Sequence, residues 1–154
     1  MRIECSPAGT GSGEQWVRER FATEVKAYRT RSARAETALI AIIDADRLTV
    51  NERLAQLDLI LDESEASPIR SDAEQIARLV PKRNVQTWIL CLNDVSVDET
   101  SDYKGSRNDW TKLVRVGSQT LYNWTRANAY LPVDCISSLR LGVEELRRLD
   151  LRRS

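Results

Sequence analysis

The sequence predicts an α/β protein with a small parallel sheet and a helical C-terminal third. The clearest sign of the sheet is a continuous apolar run without alternation, Ala38–Ile43. Such a run is typical of a strand buried on both faces at the centre of a parallel sheet. After about residue 109 the chain shows helical patterns only. No repeat or linker divides it, so residues 1–154 are expected to form one domain. Its core would lie in residues 1–92, with an acidic loop and helices in residues 93–154.

The N-terminal part of the chain predicts a short strand, a glycine-rich loop and a helix. Residues 2–5 suit a short strand, and the loop 6–13 holds half of the six glycines. Apolar residues recur at helical spacing from Trp16 to Tyr28, so a helix begins near Glu14. The loop matches neither of the two familiar glycine-rich nucleotide-binding patterns. It is either a flexible turn or a weak phosphate-binding loop.

A strand, an acidic turn and a helix form the centre of the predicted fold. The apolar run Ala38–Ile43 stops at Asp44-Ala45-Asp46, which places two carboxylates one residue apart at the end of the strand. A helix from about Val50 to Leu61 follows, because leucine and isoleucine recur on one of its faces. Either Thr49 or Asn51 suits the cap of this helix.

A second strand–helix unit is expected after a loop at Ser67-Pro68. Ile76–Val80 is interpreted as another buried strand that ends at Pro81, and the alternative is the end of a short helix. Asn84–Leu92 then predicts a helix capped by Asn84, since its apolar residues are spaced three and four apart.

The rest of the chain predicts a polar, acidic loop and three helices. The loop spans residues 93–109, and helices are expected at about 109–116 and 119–127. A last helix from Ser138 to Leu149 has leucine and valine on one face. Arginines follow at its end, where cations suit the helix dipole.

The composition excludes several kinds of chemistry. The 154 residues include no histidine, so serine–histidine or cysteine–histidine catalysis and histidine-ligated zinc or haem are excluded. Basic and acidic residues balance at 23 each, which argues against a general nucleic-acid coat but permits a local basic surface. Acid–base or metal chemistry must therefore come from carboxylates, lysine, tyrosine, cysteine or bound water.

The cysteines and the apolar segments indicate a soluble cytoplasmic protein. Cys5, Cys91 and Cys135 are widely spaced and odd in number, as expected of reduced thiols rather than a zinc ribbon or a thioredoxin-type motif. The longest apolar runs are far too short to span a bilayer, and the N-terminus lacks the apolar run of a signal peptide. We therefore expect no association with a membrane.

The acidic turn Asp44-Ala45-Asp46 is the strongest candidate site. Open α/β sheets bind ligands beyond the carboxyl ends of their strands, where this turn is expected. One or two carboxylates, with water and phosphate oxygens, commonly hold Mg²⁺. We therefore predict that Asp44 and Asp46 bind Mg²⁺ or Mn²⁺. The alternative is a solvated or helix-capping turn that happens to contain two aspartates.

Basic residues are expected close to this acidic turn. Lys82 and Arg83 follow the second strand, and Lys104 lies in the acidic loop. Cations beside acidic metal ligands are what a phosphodiester site needs to neutralise developing charge. We predict that these three residues contact phosphate, and the alternative for each is a solvated charged surface.

Taken in order, these segments resemble the Toprim (topoisomerase–primase) superfamily, which implies a Toprim/Rossmann-like core. The resemblance covers roughly residues 36–92. It is carried by the strand that ends in Asp44-Ala45-Asp46, the helix Asn51–Leu61 and the segment Val80–Trp88, which is similar to a basic, tryptophan-containing segment of small bacterial Toprim-like proteins. The resemblance implies that the two aspartates help to hold Mg²⁺ and that a glutamate ending the first strand acts as acid/base or metal ligand. Glu4 is the only candidate for that glutamate, and the loop after it departs from the family pattern.

The resemblance implies a Mg²⁺-dependent nuclease or other phosphodiesterase that acts on DNA or RNA. Small Toprim-like proteins often occur with ABC- or AAA-type ATPases in bacterial defence against phage, which implies an effector or accessory subunit beside an ATPase partner. An oligomer is compatible with this role. One alternative is a non-catalytic interaction subunit of such a complex. Another is a phosphatase of the haloacid dehalogenase type, although Thr49 lies one position later than the threonine of that family.

Overall fold

The computed structural model describes residues 2–7, 13–66, 68–106 and 108–149. Within these ranges the chain forms five helices and two strands, in the order α1 (Gly13–Ser32), β1 (Leu39–Ile42), α2 (Val50–Asp62), β2 (Ile76–Leu79), α3 (Val85–Cys91), α4 (Trp110–Trp124) and α5 (Ser137–Arg148). The predicted mixed α/β class, the parallel sheet and the helical C-terminal part are confirmed. In the same ranges, no helix is long and apolar enough to cross a membrane.

The two strands run parallel, and helices cover the sheet unequally. Leu39 lies opposite Ile76, and Ile42 lies opposite Leu79. One face packs against α1 and α2, whereas on the other face α5 packs against β2. The side chains of Ile40 and Ile42, on that second face of β1, are therefore 43% and 50% exposed. The expectation that this strand is buried on both faces is wrong, because α5 does not extend over it.

Two groups of buried apolar side chains hold these layers together. The first joins α1 and α2 to the sheet and includes Leu57 and Ile76. The second joins α3 and α5 to the opposite face and includes Leu139 and Val143. All four side chains are fully buried. Each contributes roughly 1.5–3 kcal/mol of hydrophobic stabilisation relative to an exposed position.

The indole of Trp88 fixes α5 against α3. Its Nε1 donates a hydrogen bond to Ser138 Oγ at 2.8 Å. Its ring lies against Gly142, where a Cβ atom would approach a ring carbon to 2.4 Å, so only glycine fits at this position of α5. Ser138 Oγ also accepts from the Lys82 N–H at 3.3 Å, which connects α5 to the segment after β2.

The predicted starts of α2 and α3 are confirmed. Thr49 caps α2 in a capping box: its Oγ1 accepts from the Glu52 N–H at 3.1 Å, and its own N–H donates to Glu52 Oε2 at 2.7 Å. Asn84 caps α3 by accepting from the Thr87 N–H at 3.3 Å. Both caps fix turns that contain candidate site residues.

The predicted strand at residues 2–5 is absent, so that expectation is wrong. The segment has no strand partner and lies beside α1. Glu4 Oε2 is 2.6 Å from Arg20 Nη2, so charge pairing holds the segment in place of a backbone ladder.

The two helices predicted at about 109–116 and 119–127 are one continuous helix, α4, so the predicted break is wrong. A glycine occurs at position 117, inside the helix, because the helix packs closely there against Leu92 and Asn93. A Cβ atom there would be 3.3 Å from a side-chain atom of each. A single glycine weakens a helix by about 1 kcal/mol relative to alanine, which does not suffice to break one that is packed.

Candidate functional site at the carboxyl end of the sheet

The segments that follow β1 and β2 lie side by side. The Ile43 N–H donates to Leu79 O at 3.0 Å, and the Ala45 N–H donates to Pro81 O at 2.8 Å. These bonds continue the parallel pairing beyond the strands and bring the acidic turn against Lys82 and the residues after it. The expectation that the two strands are neighbours, with the basic residues beside the aspartate pair, is therefore confirmed.

A buried arginine of α2 holds the acidic turn in place. Arg53 Nε donates to Asp44 O at 3.1 Å, and its Nη2 donates to Ala45 O at 3.3 Å. Its Nη1 donates to Glu14 Oε1 at 2.6 Å, and this hydrogen bond is the main reason why the pKa of Glu14 is lowered. Asp46 ends the turn with a φ of 54°, in the left-handed region that aspartate adopts more readily than most residues.

The charge of Asp44 is only partly compensated. Burial is the largest influence on this carboxyl group and raises its pKa above the usual range. Lys104 and the Val85 N–H act in the opposite direction, and the nearby Asp46 raises the pKa further. Lys104 Nζ lies 3.8 Å from Asp44 Oδ2. A cation bound closer to Asp44 would therefore stabilise its ionised form.

Arg83 lies between two carboxylates. Its guanidinium pairs with Asp46 and lies 3.8 Å from Asp102 Oδ2. Asn84 Nδ2 donates to Asp102 Oδ1 at 3.0 Å, which attaches the acidic loop to the start of α3. This attachment brings both Asp102 and Lys104 to the end of the sheet.

Lys82 binds the backbone of the turn rather than a carboxylate. Its Nζ donates to Leu48 O at 2.9 Å and to Asp46 O at 3.4 Å. These two bonds hold the ammonium group against the residues that end the acidic turn, where it adds positive charge.

The charged and amide side chains at this end of the sheet form what we name the carboxyl-end cluster: Asp44, Asp46, Lys82, Arg83, Asn84, Asp102 and Lys104. Among the described residues, no three cysteine, aspartate or glutamate side chains gather as a ready-made metal site. Mg²⁺ usually keeps several waters and takes only one or two protein carboxylates. The two aspartates, of which Asp44 carries an only partly compensated charge, therefore fit a hydrated ion whose other ligands are waters and phosphate oxygens.

Glu4 lies outside the carboxyl-end cluster. Its carboxylate pairs with Arg2 and with Arg20 of α1. Within the described part of the chain, no hydrogen bond or ion pair links it to Asp44 or Asp46. The other five residues predicted from the sequence all belong to the cluster.

Three residues that support the carboxyl-end cluster were not predicted in that role from the sequence. Arg53 lies four residues before Leu57 and eight before Leu61, on the buried side of α2. A charged residue at a position of the apolar stripe needs buried hydrogen-bond partners. The position of Arg53 in the helical pattern could therefore have indicated its positioning role. Asn84 was predicted only as a cap, and Asp102 only as one of several carboxylates in the acidic loop. The sequence does not show which loop carboxylate reaches the sheet.

No protein-family model, curated protein or solved structure matches this chain. A function must therefore be inferred from the carboxyl-end cluster itself, since a fold class alone does not determine an activity.

Proposed function

We propose that this protein is a divalent-metal-dependent phosphodiesterase with a Toprim-like core that acts on DNA or RNA. The observation that carries the proposal is the contact between an aspartate pair and basic side chains at the carboxyl end of a parallel sheet. Asp44 and Asp46 come from one segment, Lys82 and Arg83 from a second, and Lys104 from a third. Acidic ligands for a hard cation and basic groups for phosphate are both needed for this chemistry.

Each side chain has a role that follows from its present contacts. Asp44 and Asp46 would bind Mg²⁺ or Mn²⁺, which when bound supplies Lewis-acid stabilisation of phosphate oxygens. Arg83 and Lys104 would exchange their aspartate partners for phosphate, to which Arg83 can present two parallel N–H groups. Lys82 would remain on the backbone of the turn and add positive potential.

Cleavage of short labelled oligonucleotides tests this function. We expect the wild type to cleave single- or double-stranded DNA or RNA in Mg²⁺ or Mn²⁺. Asp44→Asn should lower the rate by at least about 100-fold, because it removes a metal ligand at the reacting phosphate. Asp62→Asn removes the same charge from the exposed end of α2 and should leave the rate unchanged.

Two outcomes would contradict the phosphodiesterase. Cleavage that persists in Asp44→Asn would remove the acidic turn from the mechanism. Hydrolysis of p-nitrophenyl phosphate without cleavage of any oligonucleotide would favour the phosphatase of the haloacid dehalogenase type.

A second candidate function is a non-catalytic interaction subunit, for which β1 gives a specific reason. Ile40 and Ile42 are exposed side by side on this strand. The N–H groups of Leu39 and Ile43 point to β2, so those of Ile40 and Ile42 point outward, where no partner exists among the described residues. An apolar face beside an open strand edge suits a protein partner. The ABC- or AAA-type ATPase implied by the Toprim resemblance is the proposed partner.

Co-expression with candidate ATPases of the ABC or AAA type tests the second function. Ile40→Glu/Ile42→Glu should abolish co-elution on a sizing column, because the change places charge on the apolar face. Val133→Glu, at a position that is 87% exposed, should leave co-elution intact. Co-elution that survives the double change would exclude β1 as the interface.

A further inference from the structure

Two of the three cysteines meet at a point away from the carboxyl-end cluster. Cys91 is the last residue of α3, and Cys135 lies just before α5. Their side chains line the same small cavity. Cys135 Sγ donates to Ile136 O at 3.7 Å.

A small cavity opens beside this pair. Its volume is about 50 Å³, and its lining includes both cysteines, residues 95–97, Trp124 and Pro132. A cavity of about 10–15 Å³ already holds one water molecule, so hydrogen peroxide can fit beside the thiols. Cys5 is exposed and has no cysteine neighbour among the described residues.

We propose that Cys91 and Cys135 form a reversible intramolecular disulfide when a two-electron oxidant of the peroxide class enters this cavity. One thiolate attacks a peroxide oxygen, which gives a sulfenic acid and releases hydroxide. The second thiolate attacks the sulfenic sulfur, which forms the S–S bond and releases a second hydroxide. With the two thiol protons counted, two thiols and one hydrogen peroxide give one disulfide and two waters.

The bond would close the base of an excursion of the chain, residues 92–134, that carries the mostly exposed helix α4. Residues 92–134 contain α4, whose described side chains are all at least partly exposed except Gly117. The same excursion includes the acidic loop that supplies Asp102 and Lys104. Since Cys91 and Cys135 lie at its two ends, a disulfide restricts how far this segment can open from the rest of the protein.

The reaction should be slow at neutral pH and faster in alkali. Burial raises the pKa of both thiols, that of Cys135 to about 11, and only the thiolate is reactive. Asp94 and Asp134 raise the pKa of Cys91 further, whereas Arg140 acts against the increase at Cys135. The rate of disulfide formation should therefore rise by about tenfold per pH unit below these pKa values.

The full-length Cys5→Ser variant provides the cleanest test, because it leaves Cys91 and Cys135 as the only thiols. After treatment with hydrogen peroxide at alkaline pH, we expect the loss of two hydrogen atoms in the intact mass. Proteolysis should then give a peptide that links the two cysteines and that dithiothreitol separates. Amide hydrogen exchange in residues 92–134 should slow in the oxidised protein and recover on reduction.

A matched variant removes one partner. In Cys5→Ser/Cys91→Ser, Cys135 should give no intramolecular disulfide. The proposal is overturned if both thiols of Cys5→Ser remain open to alkylation after oxidation, or if they oxidise separately to sulfinic acid. It is also overturned if the disulfide is intermolecular, or if it forms without slowing exchange in the excursion. The first measurement changes neither cysteine of the pair, so its result does not depend on how a Cys91 variant folds.

Discussion

Two clusters of charged side chains adjoin β2, and they are built in opposite ways. What we name the edge cluster lies along the outer edge of this strand and consists of Arg70, Arg78, Arg148, Asp58 and Glu145. The carboxyl-end cluster lies where the two strands end. The side chains of the first are at most about one-third exposed and several are bonded to the backbone, whereas Asp46, Asp102 and Lys104 of the second are about half exposed. The difference separates charge that holds the fold from charge that is available to a ligand.

The edge cluster satisfies backbone groups that the two-stranded sheet leaves open. The side chain of Arg78 is only 9% exposed, and its backbone N–H donates to Glu145 Oε2 at 3.3 Å. Arg148 donates to Glu74 O at 2.6 Å and also to Ile76 O. An unpaired strand edge is a site of unwanted association, so these bonds stabilise the fold and close the edge.

In the carboxyl-end cluster Lys82 is bonded to backbone carbonyls, whereas Arg83 and Lys104 pair with carboxylates. The side chains of Asp46 and Lys104 are 52% and 57% exposed. The Lys104–Asp44 and Arg83–Asp102 pairs are each 3.8 Å apart, which is too long for a hydrogen bond. Exposed pairs of this kind contribute about 0–1 kcal/mol, so a metal ion and a phosphate can replace them at little cost.

Breaking the edge cluster should cause the largest loss of stability. Arg148→Met keeps the apolar stem of the side chain but removes the donors to three backbone carbonyls. We expect the free energy of unfolding to fall by about 2–3 kcal/mol, measured by urea denaturation. Arg34→Met, at an exposed position after α1, is the matched control and should change it by less than about 0.5 kcal/mol. Equal effects of the two changes would show that the edge cluster does not hold the fold.

A smaller loss of stability is expected from Gly142→Ala in α5, the helix that contacts both clusters. Gly142→Ala would place a Cβ atom 2.4 Å from the Trp88 ring and push the helix outward. We expect a destabilisation of about 1–3 kcal/mol. Gly105→Ala, where no atom lies within 4 Å of the new Cβ, should have little effect. A Gly142→Ala protein with the wild-type melting temperature would contradict the tight packing of α5 on Trp88.

Asp44→Asn should slightly raise stability at neutral pH when metal is absent. Burial raises the pKa of Asp44 in the folded state above its usual 3.8, so the folded protein binds this proton more tightly than the unfolded chain. The free energy of unfolding of the wild type therefore falls as the pH rises through that range, whereas asparagine stays neutral. The urea midpoint of the variant should exceed that of the wild type at pH 7 by more than at about pH 3. A variant that is less stable than the wild type at pH 7 would show that the carboxylate is already well compensated.

The smallest effect on stability is expected at Arg83. Arg83→Gln should change the free energy of unfolding by less than about 1 kcal/mol, since its partners are largely exposed. If the proposed function holds, oligonucleotide binding should nevertheless weaken. In a plot of the logarithm of the binding constant against the logarithm of the salt concentration, the steepness of the slope should fall by about one. An unchanged slope would place Arg83 outside the phosphate contacts.

The local elements of this fold could be predicted from the sequence because their signals are local. The apolar run before Asp44, the caps Thr49 and Asn84, and the turn at Pro81 depend on neighbouring residues only. Since parallel strands end on the same side, the contact between the acidic turn and the segment that contains Arg83 followed from strand order.

The tertiary features could not be predicted in the same way. The exposure of Ile40 depends on where α5 lies, and an apolar run does not show how many layers cover it. The anchoring of the acidic turn by Arg53 and the arrival of Asp102 and Lys104 depend on contacts between distant segments. The placement of Glu4 beside α1 likewise depends on an ion pair with Arg20.

Calorimetric titration of Mg²⁺ and Mn²⁺ into the wild type and into Asp44→Asn/Asp46→Asn tests the central claim most directly. Asp62→Asn/Glu63→Gln makes the same change of charge at the exposed end of α2 and serves as the control. We predict saturable binding to the wild type and to the control, and none to the Asp44→Asn/Asp46→Asn protein. Binding that is equal in all three proteins, or absent from the wild type even with inorganic phosphate present, would contradict a metal site in the carboxyl-end cluster.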